Sequence, residues 1–574
     1  MPMHVHLGAL NESVDTDEIL RSYDSCRAEQ SIFRAHCREV AEVVYPDADL
    51  FDRSRNEGEK RGVGRQFDAA GMLALLKLAS LLESRLTPRG RQWFGLEPED
   101  PDLRKDAEIM RYLEGLRDAV LESLEAPGAN FYGQMHEVYM GLGAFGNGAL
   151  FTDEALPDES SDGAMRFIRA HIGNLCFLQN PHGVVDTIYR EFSISAKAAK
   201  QMWGERTPPS VEQRLAANDV ASKCSFLHCV RPRPSAAAYG RLGAGRGPFQ
   251  SVYLSVVDRL ALEVGGYHEN PYAISRWTLA PEENYGRSPA MHALPNLNTL
   301  QEMMRTHIQA GHKQVDPPLL GYDDDELGGG RSVQLYPGGW NPGGLDSQGN
   351  ALIKPLHTVG KIELSEAMLE RERATVDDFF FVSLLQVGHE HPQRTATEVL
   401  QITEEQGWLM TPTLGRQQSE LLGPFLRRAV AIMVRSGRVG PPPQKLLESG
   451  GHYKIVYLSP LTYAQRAGEA RAIASTYEFL SGISAAKGGD PSVFDVMNDE
   501  EATRRFAQIQ GVPQEVVRSE DEVLALRNER AQRQQLAEAL AAGEQLGKIA
   551  KDVAASGIAA GPGAGAGMGT QPAV

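Results

Sequence analysis

Two helical segments separated by a long turn-rich stretch constrain this chain more than any other feature. The first covers Pro289 to His312 and the second Leu364 to Val387, while Val315 to Pro355 between them contains DDDELGGG and YPGGWNPGG. Roughly 45 residues is too long for an ordinary connection. The pattern therefore predicts a pair of helices, each roughly 35 Å long, that flank a small folded insertion or a partner-binding loop.

On the amino-terminal side of this helix pair, the sequence pattern changes once, from helical to strand-like. Apolar residues recur at helical spacing through most of the first 150 residues, in the stretches Asp15 to Val44, Phe67 to Leu86, Asp102 to Leu124 and Asn130 to Met140. Between Met165 and Leu279 the pattern changes to short runs of β-branched and aromatic residues, such as VVDTIYREF and CSFLHCVRP. The predicted fold class is α+β and mainly helical.

The carboxyl-terminal side is predicted to be helical with one strand. Thr395 and Glu398 have capping-box spacing and start a long helix, which Pro412 and Pro424 should kink. YKIVYL at 453–458 indicates a strand, and further helices are expected at 461–480 and from Ser519. The Gly/Ala-rich tail is typical of disorder.

Charge and cysteine content exclude several classes of protein. The 58 Lys and Arg against 75 Asp and Glu give a formal charge of -17, so any contact with nucleic acid must be local or weak. The five cysteines form neither a disulfide framework nor a zinc spacing, which favours synthesis in a reducing cytoplasm. The most apolar stretch, Met72 to Leu86, contains three charges and is too short to span a bilayer.

Possible catalytic signals are weak. Gly141, Gly143 and Gly146 match G-x-G-x-x-G, but a helix precedes them and an extended run follows, the reverse of a dinucleotide-binding loop. A glycine-terminated helix and tight turn explains them better. His389 and His391 lack the spacing of a metal site, and the run from Cys224 to Cys229 is expected to be a buried strand. The motifs favour a structural protein over an enzyme, with no cofactor and no metal.

Several blocks, taken in order, resemble the portal (head-to-tail connector) proteins of short-tailed, podovirus-type bacteriophages. No single block is decisive, but their shared order extends over about residues 15 to 550. The blocks are LTPRGRQWFGL at 86–96, ANFY at 129–132 with YMGLGAFGNG at 139–148, YGRSP at 285–289 with LPNLN at 294–298, VDPP at 315–318 with PGGWN at 337–341, RTATEV at 394–399 with LGP at 422–424, and LSPL at 458–461.

The resemblance implies a subunit whose wing, stem, clip and crown regions assemble into a ring with a central channel. The implied regions are an N-terminal helical wing part at 1–160, a β-rich wing part at 161–285, the first stem helix at 286–312, the clip at 313–360, the second stem helix at 361–386, the tunnel loop at 387–394, a kinked wing helix and returning strand at 395–460, the crown at 461–555 and a disordered tail at 556–574.

The resemblance also implies a function and partners. Portal rings, typically dodecamers, occupy one vertex of the capsid, and double-stranded DNA is packaged and ejected through them. They help to initiate procapsid assembly with the major capsid and scaffolding proteins. Their clip docks the terminase large subunit during packaging and the head–tail adaptor or tail proteins afterwards. The expected location is the virion, after synthesis in the host bacterial cytoplasm, without membrane insertion.

Three groups of candidate site residues follow. The predicted second stem helix, Lys361 to Gln386, carries three basic and six acidic residues, a net of -3, and such a surface would let a polyanion slide rather than hold it. A solvated helix face explains these charges equally well. The candidates are Glu363, Glu366, Glu370, Asp377 and Asp378 for an acidic stem face, His389, His391, Gln393 and Arg394 for a tunnel loop near DNA, and Asp323, Asp324, Asp325 and Trp340 for partner binding by the clip.

Two alternatives to a portal remain open at this point. One is a cytosolic enzyme that holds a nucleotide with the Gly141–Gly146 loop. The other is an oligomeric helical scaffold unrelated to DNA.

Overall fold

The computed structural model describes residues 14–51, 58, 66–154, 164–233, 247–315, 319–320, 348, 350, 354–355, 362–382, 412–458, 460–488, 491–510, 518 and 522–535. The chain divides into two compact units, Met1–Gly468 and Glu469–Val574. The boundary between them falls within one long helix, Pro460–Ala486.

The described part contains both helices and strands in the proportions expected for a mainly helical α+β protein. The helices are α1 (Thr16–Glu29), α2 (Ser31–Val44), α3 (Ala70–Leu86), α4 (Ala107–Glu125), α5 (Phe131–Phe145), α6 (Ala196–Trp203), α7 (Pro209–Ala216), α8 (Pro289–Val315), α9 (Ile362–Phe379), α10 (Gly423–Arg435), α11 (Gln444–Glu448), α12 (Pro460–Ala486), α13 (Asp499–Gln510) and α14 (522–535). The strands are β1 (Phe94–Pro98), β2 (Asn147–Glu154), β3 (Met165–Arg169), β4 (Leu175–Gln179), β5 (Val185–Ser195), β6 (Lys223–Pro232), β7 (Phe249–Ser255), β8 (Leu260–Tyr267), β9 (Tyr272–Arg276), β10 (Leu319–Leu320), β11 (Lys354–Pro355) and β12 (Tyr453–Tyr457).

The helix expected from Asp15 to Val44 is interrupted at Gln30. The start is as expected, because the Asp15 carboxylate accepts the N–H groups of Asp17 and Glu18 at 3.0 Å each. Gln30 lies between α1 and α2, is fully buried, and donates its side-chain amide to the carbonyl oxygen of Leu175 at 2.9 Å. The interruption therefore comes from a contact with β4, which helical periodicity cannot reveal.

Within the described residues, the strands form four sheets. The largest has five antiparallel strands in the order β4-β5-β6-β7-β8, and β3-β2-β9 form a second sheet. The returning strand β12 pairs antiparallel with β1, with Phe94 opposite Tyr457, and the two-residue strands β10 and β11 pair with each other. The chain thus revisits the amino-terminal part of its first unit after residue 450.

Alternation along β6 shows how both faces of the large sheet are covered. Leu227 and Cys229 pack with α1, while Phe226 on the opposite face packs with Trp203 of α6. Such alternation follows from the two-residue period of a strand. The sequence run around Cys224 to Cys229 is therefore a buried strand, as predicted.

A larger core joins the helices of the first unit to the small sheets. Its members come mainly from α2, α3, α4, α5, β2, α8 and α10. Phe131, Phe167 and Phe425 form an aromatic cluster within it, with ring centroids 5.1 to 5.6 Å apart. This core fixes the amino-terminal half of α8.

The glycine motif forms the junction between α5, β2 and the loop that leads into α8. Helix α5 extends five residues beyond the predicted end at Met140, and Gly146 ends it with φ +71°. A Cβ atom on Gly146 would lie 2.3 Å from the carbonyl oxygen of Gly286. The side chain of Asn147 bonds the same loop, accepting the Gly286 N–H at 3.0 Å. Only glycine combines this backbone conformation with so close an approach.

The helical segment from residue 412 to Arg435 contains a π-helical turn. Residues 412–417 are α-helical, Gln418–Leu422 form the π-turn, and α10 continues to Arg435. Pro424 lacks the N–H that a regular helix would need at this point. The Gln418 carbonyl instead accepts the Gly423 N–H and the Tyr457 hydroxyl, the latter at 2.8 Å. Helical structure therefore continues through Pro424, with a π-turn directly before it, and the predicted kink stays a prediction; the predicted start of this helix, 395–411, lies outside the described residues.

The second unit is small and helical. Within it, the Tyr477 hydroxyl of α12 donates to the Asp499 carboxylate at 2.8 Å, and Arg505 of α13 pairs with Glu469 at 3.0 Å. Helix α14 falls inside the predicted last helix, while its expected cap at Ser519 and the tail at 556–574 lie outside the described residues.

We expect Gly146→Ala to destabilise the first unit by about 3 kcal/mol or more, because the new Cβ would meet backbone atoms that cannot move independently. Urea unfolding followed by circular dichroism measures the change. Gly115→Ala in α4 is the matched control, since a Cβ there meets nothing within 4 Å and should stabilise the helix by about 0.5 to 1 kcal/mol. Equal effects of the two substitutions would contradict the junction described here.

Candidate functional site

The side chain before α8 hydrogen-bonds both to the first turn of α8 and to the end of α5. The buried Ser288 hydroxyl accepts the Met291 N–H at 2.9 Å and donates to the Ala144 carbonyl at 2.8 Å. Pro289 follows at the first helical position, where its missing N–H has no cost. The sequence thus caps α8 and fastens its start to the end of α5.

Helices α8 and α9 form an antiparallel pair. Near the start of α8, the Asn296 amide donates to the Glu372 carboxylate at 3.2 Å. Near its end, the His307 ring lies 3.1 Å from the Ser365 hydroxyl. Between these contacts, buried leucines of both helices form the apolar seam. The predicted pair of helices flanking an insertion is therefore present, and α8 extends three residues past the predicted His312.

A buried carboxylate fastens both helices to α3. Asp68, just ahead of α3, accepts two hydrogen bonds from the Arg373 guanidinium of α9 at 2.6 and 3.0 Å. Gln301 of α8 accepts the N–H groups of Phe67 and Asp68 at 2.6 and 2.8 Å and returns a bond to the Asp68 carbonyl at 2.8 Å. We call Asp68, Gln301 and Arg373 the Asp68 clamp.

Helix α9 is shorter than the 361–386 predicted for the second stem helix. It ends at Phe379, where Val382 N–H bonds to the Asp377 carbonyl at 2.9 Å and Phe381 N–H to the Asp378 carbonyl at 3.0 Å. These two bonds define a Schellman motif, with Phe381 in the left-handed conformation at φ +57°. Burial of Phe380 and Val382 holds the turn. The helical pattern of the sequence could not reveal this tertiary stop.

The exposed side of α9 carries an acidic surface. Glu366, Glu370 and Asp378 are exposed, with Ala374 between the last two at the same four-residue spacing. These positions follow one another along about 18 Å of helix. We call Glu366, Glu370 and Asp378 the α9 acidic face.

Three other acidic residues of α9 are not counted in the α9 acidic face. Burial, with a smaller contribution from the Asp378 charge, raises the pKa of the half-buried Asp377, while the Lys77 ammonium of α3 opposes the shift. Glu363 is in the helix, but its side chain lies outside the described residues. Glu372, which counts toward the predicted net charge, is instead bonded to Asn296. The structure thus brings three of the five predicted acidic residues to one open surface.

The other predicted site residues fall outside the part of the chain that the structure describes. They are the tunnel-loop candidates His389, His391, Gln393 and Arg394 and the clip candidates Asp323, Asp324, Asp325 and Trp340.

An open groove of about 720 Å³ on the paired helices was not predicted from the sequence. Met303 and Thr306 of α8 and Ser365 and Met368 of α9 line it, together with three further α8 residues. Two methionines on a solvent-facing surface give the groove an adaptable apolar wall. From its helical spacing alone, Met368 would be expected in the core. Instead, its side chain is 51% exposed.

The nucleotide-binding alternative is not compatible with the structure of the glycine motif. Gly141 and Gly143 lie inside α5, and a Cβ on Gly143 would come within 2.7 Å of a Leu75 methyl group of α3. These glycines serve close helix packing, and β2 follows them directly, so no loop is left to hold a phosphate. His228 likewise has a structural position, with its ring nitrogens 2.7 Å from the Tyr272 hydroxyl and 3.0 Å from the Ser251 hydroxyl.

Within the described ranges, no group of three or more His, Cys, Asp or Glu side chains is placed to hold a metal ion. In the same ranges, every helix is too short or too polar to cross a membrane.

Comparison with known proteins gives concordant matches over nearly the whole chain. The profile of the family "Bacteriophage head to tail connecting protein" matches residues 16–517. The chain is 26% identical to the "Portal protein" of Salmonella phage epsilon15 over 94% of this chain and 95% of that protein. It is also 26% identical to the "Probable portal protein" of Bordetella phage BPP-1, over 92% of this chain and 93% of that one.

Among solved structures, a chain of the "Virion of native gene transfer agent (GTA) particle" matches with a TM-score of 0.34 and 11% identity. The match covers 77% of this chain and 90% of that chain.

We expect Arg373→Ala to destabilise the first unit by about 1 to 3 kcal/mol, because the buried Asp68 carboxylate would lose its cationic partner. The measurement is the free energy of unfolding in urea. Arg371→Ala, two residues away on the exposed side of α9, should change stability by less than about 0.5 kcal/mol. If both variants behave alike, the clamp does not hold α9.

Proposed function

The chain belongs to the family of bacteriophage head to tail connecting proteins, and from this membership we propose that it assembles into the ring through which phage DNA enters and leaves the capsid. The family match over residues 16–517 is the observation that carries the proposal. The chain has a portal function, in agreement with the two relatives named as portal proteins. Proteins of this kind are components of phage virions.

In the proposed subunit, α8 and α9 are the two stem helices. They flank the segment 313–360, which we assign to the clip, and the residues after α9, 387–394, form the tunnel loop. Residues 1–285 together with 395–460 build the wing, and 461–555 form the crown. Support comes from the antiparallel pairing of α8 with α9 and from the return of β12 to β1, which makes the wing from two separated parts of the chain.

We assign the α9 acidic face to the wall of the channel. In a ring, each copy would present Glu366, Glu370 and Asp378 to the passing duplex. The carboxylates repel the phosphate backbone. Because they release no counterions from the DNA, a stationary complex gains no binding free energy from this surface. The DNA would therefore slide along this part of the wall. His389, His391, Gln393 and Arg394 would contact it at the tunnel loop.

Partners follow from the same assignment. The clip, with Asp323, Asp324, Asp325 and Trp340, would dock the terminase large subunit during packaging and the head–tail adaptor afterwards. The ring, a dodecamer in this proposal, would occupy one capsid vertex and help to initiate procapsid assembly with the major capsid and scaffolding proteins. Each copy would be made in the cytoplasm of the bacterial host. This role needs no enzymatic activity from the chain.

We expect the purified full chain to form closed rings, because a channel for DNA requires a complete wall. Negative-stain images with class averaging should show a central opening wide enough for duplex DNA, and native mass spectrometry should give the number of copies. A compact monomer or dimer under all conditions, including in the presence of scaffolding protein, would contradict the ring.

We expect the double substitution Glu366→Lys and Glu370→Lys to make the ring bind DNA and to slow packaging, because each added lysine can neutralise a phosphate. At 50 mM salt the affinity for duplex DNA should rise at least about 10-fold, and the dependence on salt should steepen. Fluorescence anisotropy and a packaging assay measure the two effects.

The matched control reverses the same charges on an exposed part of α4, in the double variant Glu122→Lys and Glu125→Lys. It changes the net charge equally but lies on a wing helix. If both double variants raise DNA affinity equally, the α9 acidic face does not line the channel.

A further inference from the structure

Two of the five buried cysteines belong to the same core cluster, where α1 packs on the large sheet. Cys26 is on α1 and Cys176 is on β4, and both are almost completely buried. The Cys26 sulfur lies 3.8 Å from the carbonyl oxygen of Phe177, the residue that follows Cys176. It therefore lies beside the strand that carries the second cysteine, although the two residues are far apart in sequence.

The surrounding contacts hold these two elements in register. The Gln30 amide donates to the Leu175 carbonyl at 2.9 Å, and the Cys176 sulfur lies 3.3 Å from the Gln30 side-chain oxygen. On the same side of the sheet, the Tyr23 hydroxyl of α1 donates to the Glu191 carboxylate at 2.6 Å. The Gln30 amide and the Tyr23 hydroxyl thus fix α1 over β4 and β5 at two separate places.

The two thiols are chemically different. A hydrogen bond with Cys26, and then the positive charge of Arg27, lower the pKa of the Cys176 thiol despite its burial. The Arg27 guanidinium lies 3.9 Å from the Cys176 sulfur. The same hydrogen bond, followed by burial, raises the pKa of Cys26. A thiol with a lowered pKa beside a cation, next to a second thiol, is the arrangement that favours reaction at one sulfur and resolution by the other.

We propose that Cys26 and Cys176 are a redox modification site, at which a peroxide converts the two thiols into a disulfide that joins α1 to β4. In the first step the Cys176 thiolate attacks a peroxide oxygen; for hydrogen peroxide, this gives a sulfenic acid and hydroxide, which takes up a proton to become water. In the second step the Cys26 sulfur attacks the sulfenic sulfur, and the thiol proton leaves with the hydroxyl group as a second water. Two thiols are oxidised and one hydrogen peroxide is reduced to two waters.

The neighbouring Cys229 provides an internal comparison. It belongs to the same core cluster, but it is on β6, and β5 lies between it and Cys176 through Tyr189. Two strand spacings place the Cys176 and Cys229 backbones about 9.6 Å apart, beyond the reach of a disulfide. Its thiol is also unactivated, because burial raises the pKa of Cys229 to about 12. The pairing is therefore selective for Cys26.

The cross-link should stabilise the folded first unit. It would close a loop of about 150 residues in the unfolded chain, and long closed loops lose the most conformational entropy. The melting temperature of the oxidised chain should exceed that of the reduced chain by a few degrees, roughly 2 to 6 °C for a unit of this size. A reductant should reverse the shift.

The test uses the full chain treated with hydrogen peroxide, alkylated without reduction and digested with trypsin. The expected product is a disulfide between the peptides Ser22–Arg27 and Ala170–Arg190, which contain Cys26 and Cys176. The intact mass should fall by about 2 Da, since two hydrogens are lost. Differential scanning fluorimetry on the same sample measures the melting temperature with and without reductant.

Three variants make the result specific. Cys26→Ala and Cys176→Ala should remove both the linked peptide and the peroxide-dependent shift, and circular dichroism verifies that each variant folds. Cys229→Ala should retain both. The proposal is overturned if peroxide leaves the wild-type thiols unlinked, if it over-oxidises Cys176 without linkage, or if the linked peptide contains Cys229. None of these outcomes bears on ring formation, so the portal function is tested separately.

Discussion

The buried carboxylate of Asp68 is the constraint on which the arrangement of α8 and α9 depends. A carboxylate away from water is costly unless charged and hydrogen-bonding partners surround it. Here the carboxylate accepts hydrogen bonds from Arg373 of α9 and from the Ala70 N–H at the start of α3, while Gln301 of α8 bonds the backbone of the same residue. Helix α9 can satisfy this carboxylate only in one rotation about its axis. That rotation also decides which of its acidic residues face solvent.

Hydrogen bonds of other buried polar side chains connect the remaining elements in the same way. Ser288, Asn147 and Gln417 are almost completely buried, and each bonds to the backbone of a different element. Arg276 and Glu420 form a bidentate pair that connects β9 to the π-turn at 2.9 and 3.1 Å. Apolar packing gives the first unit most of its stability, whereas these directional bonds determine how its helices and strands meet.

The sequence predicted the elements well and their ends poorly, for a physical reason. Periodicity and capping depend on neighbouring residues only, so the helix pair and the strands between Met165 and Leu279 could be predicted. The interruption at Gln30 and the stop at Phe379 depend on contacts with distant residues. The acidic character of α9 could likewise be counted, but the inward orientation of Glu372 depends on Asn296, a residue of the other helix.

The π-turn at Gln418–Leu422 changes the direction in which side chains face on its two sides. An α-helix advances about 100° per residue, and a single π-turn accommodates one residue more than a regular helix. Residues 412–417 therefore face about 100° away from the direction that the α10 periodicity would give them. Removing one residue here would restore a regular helix and rotate residues 412–417 relative to α10. The number of residues in this turn, rather than their identity, sets the direction in which residues 412–417 face.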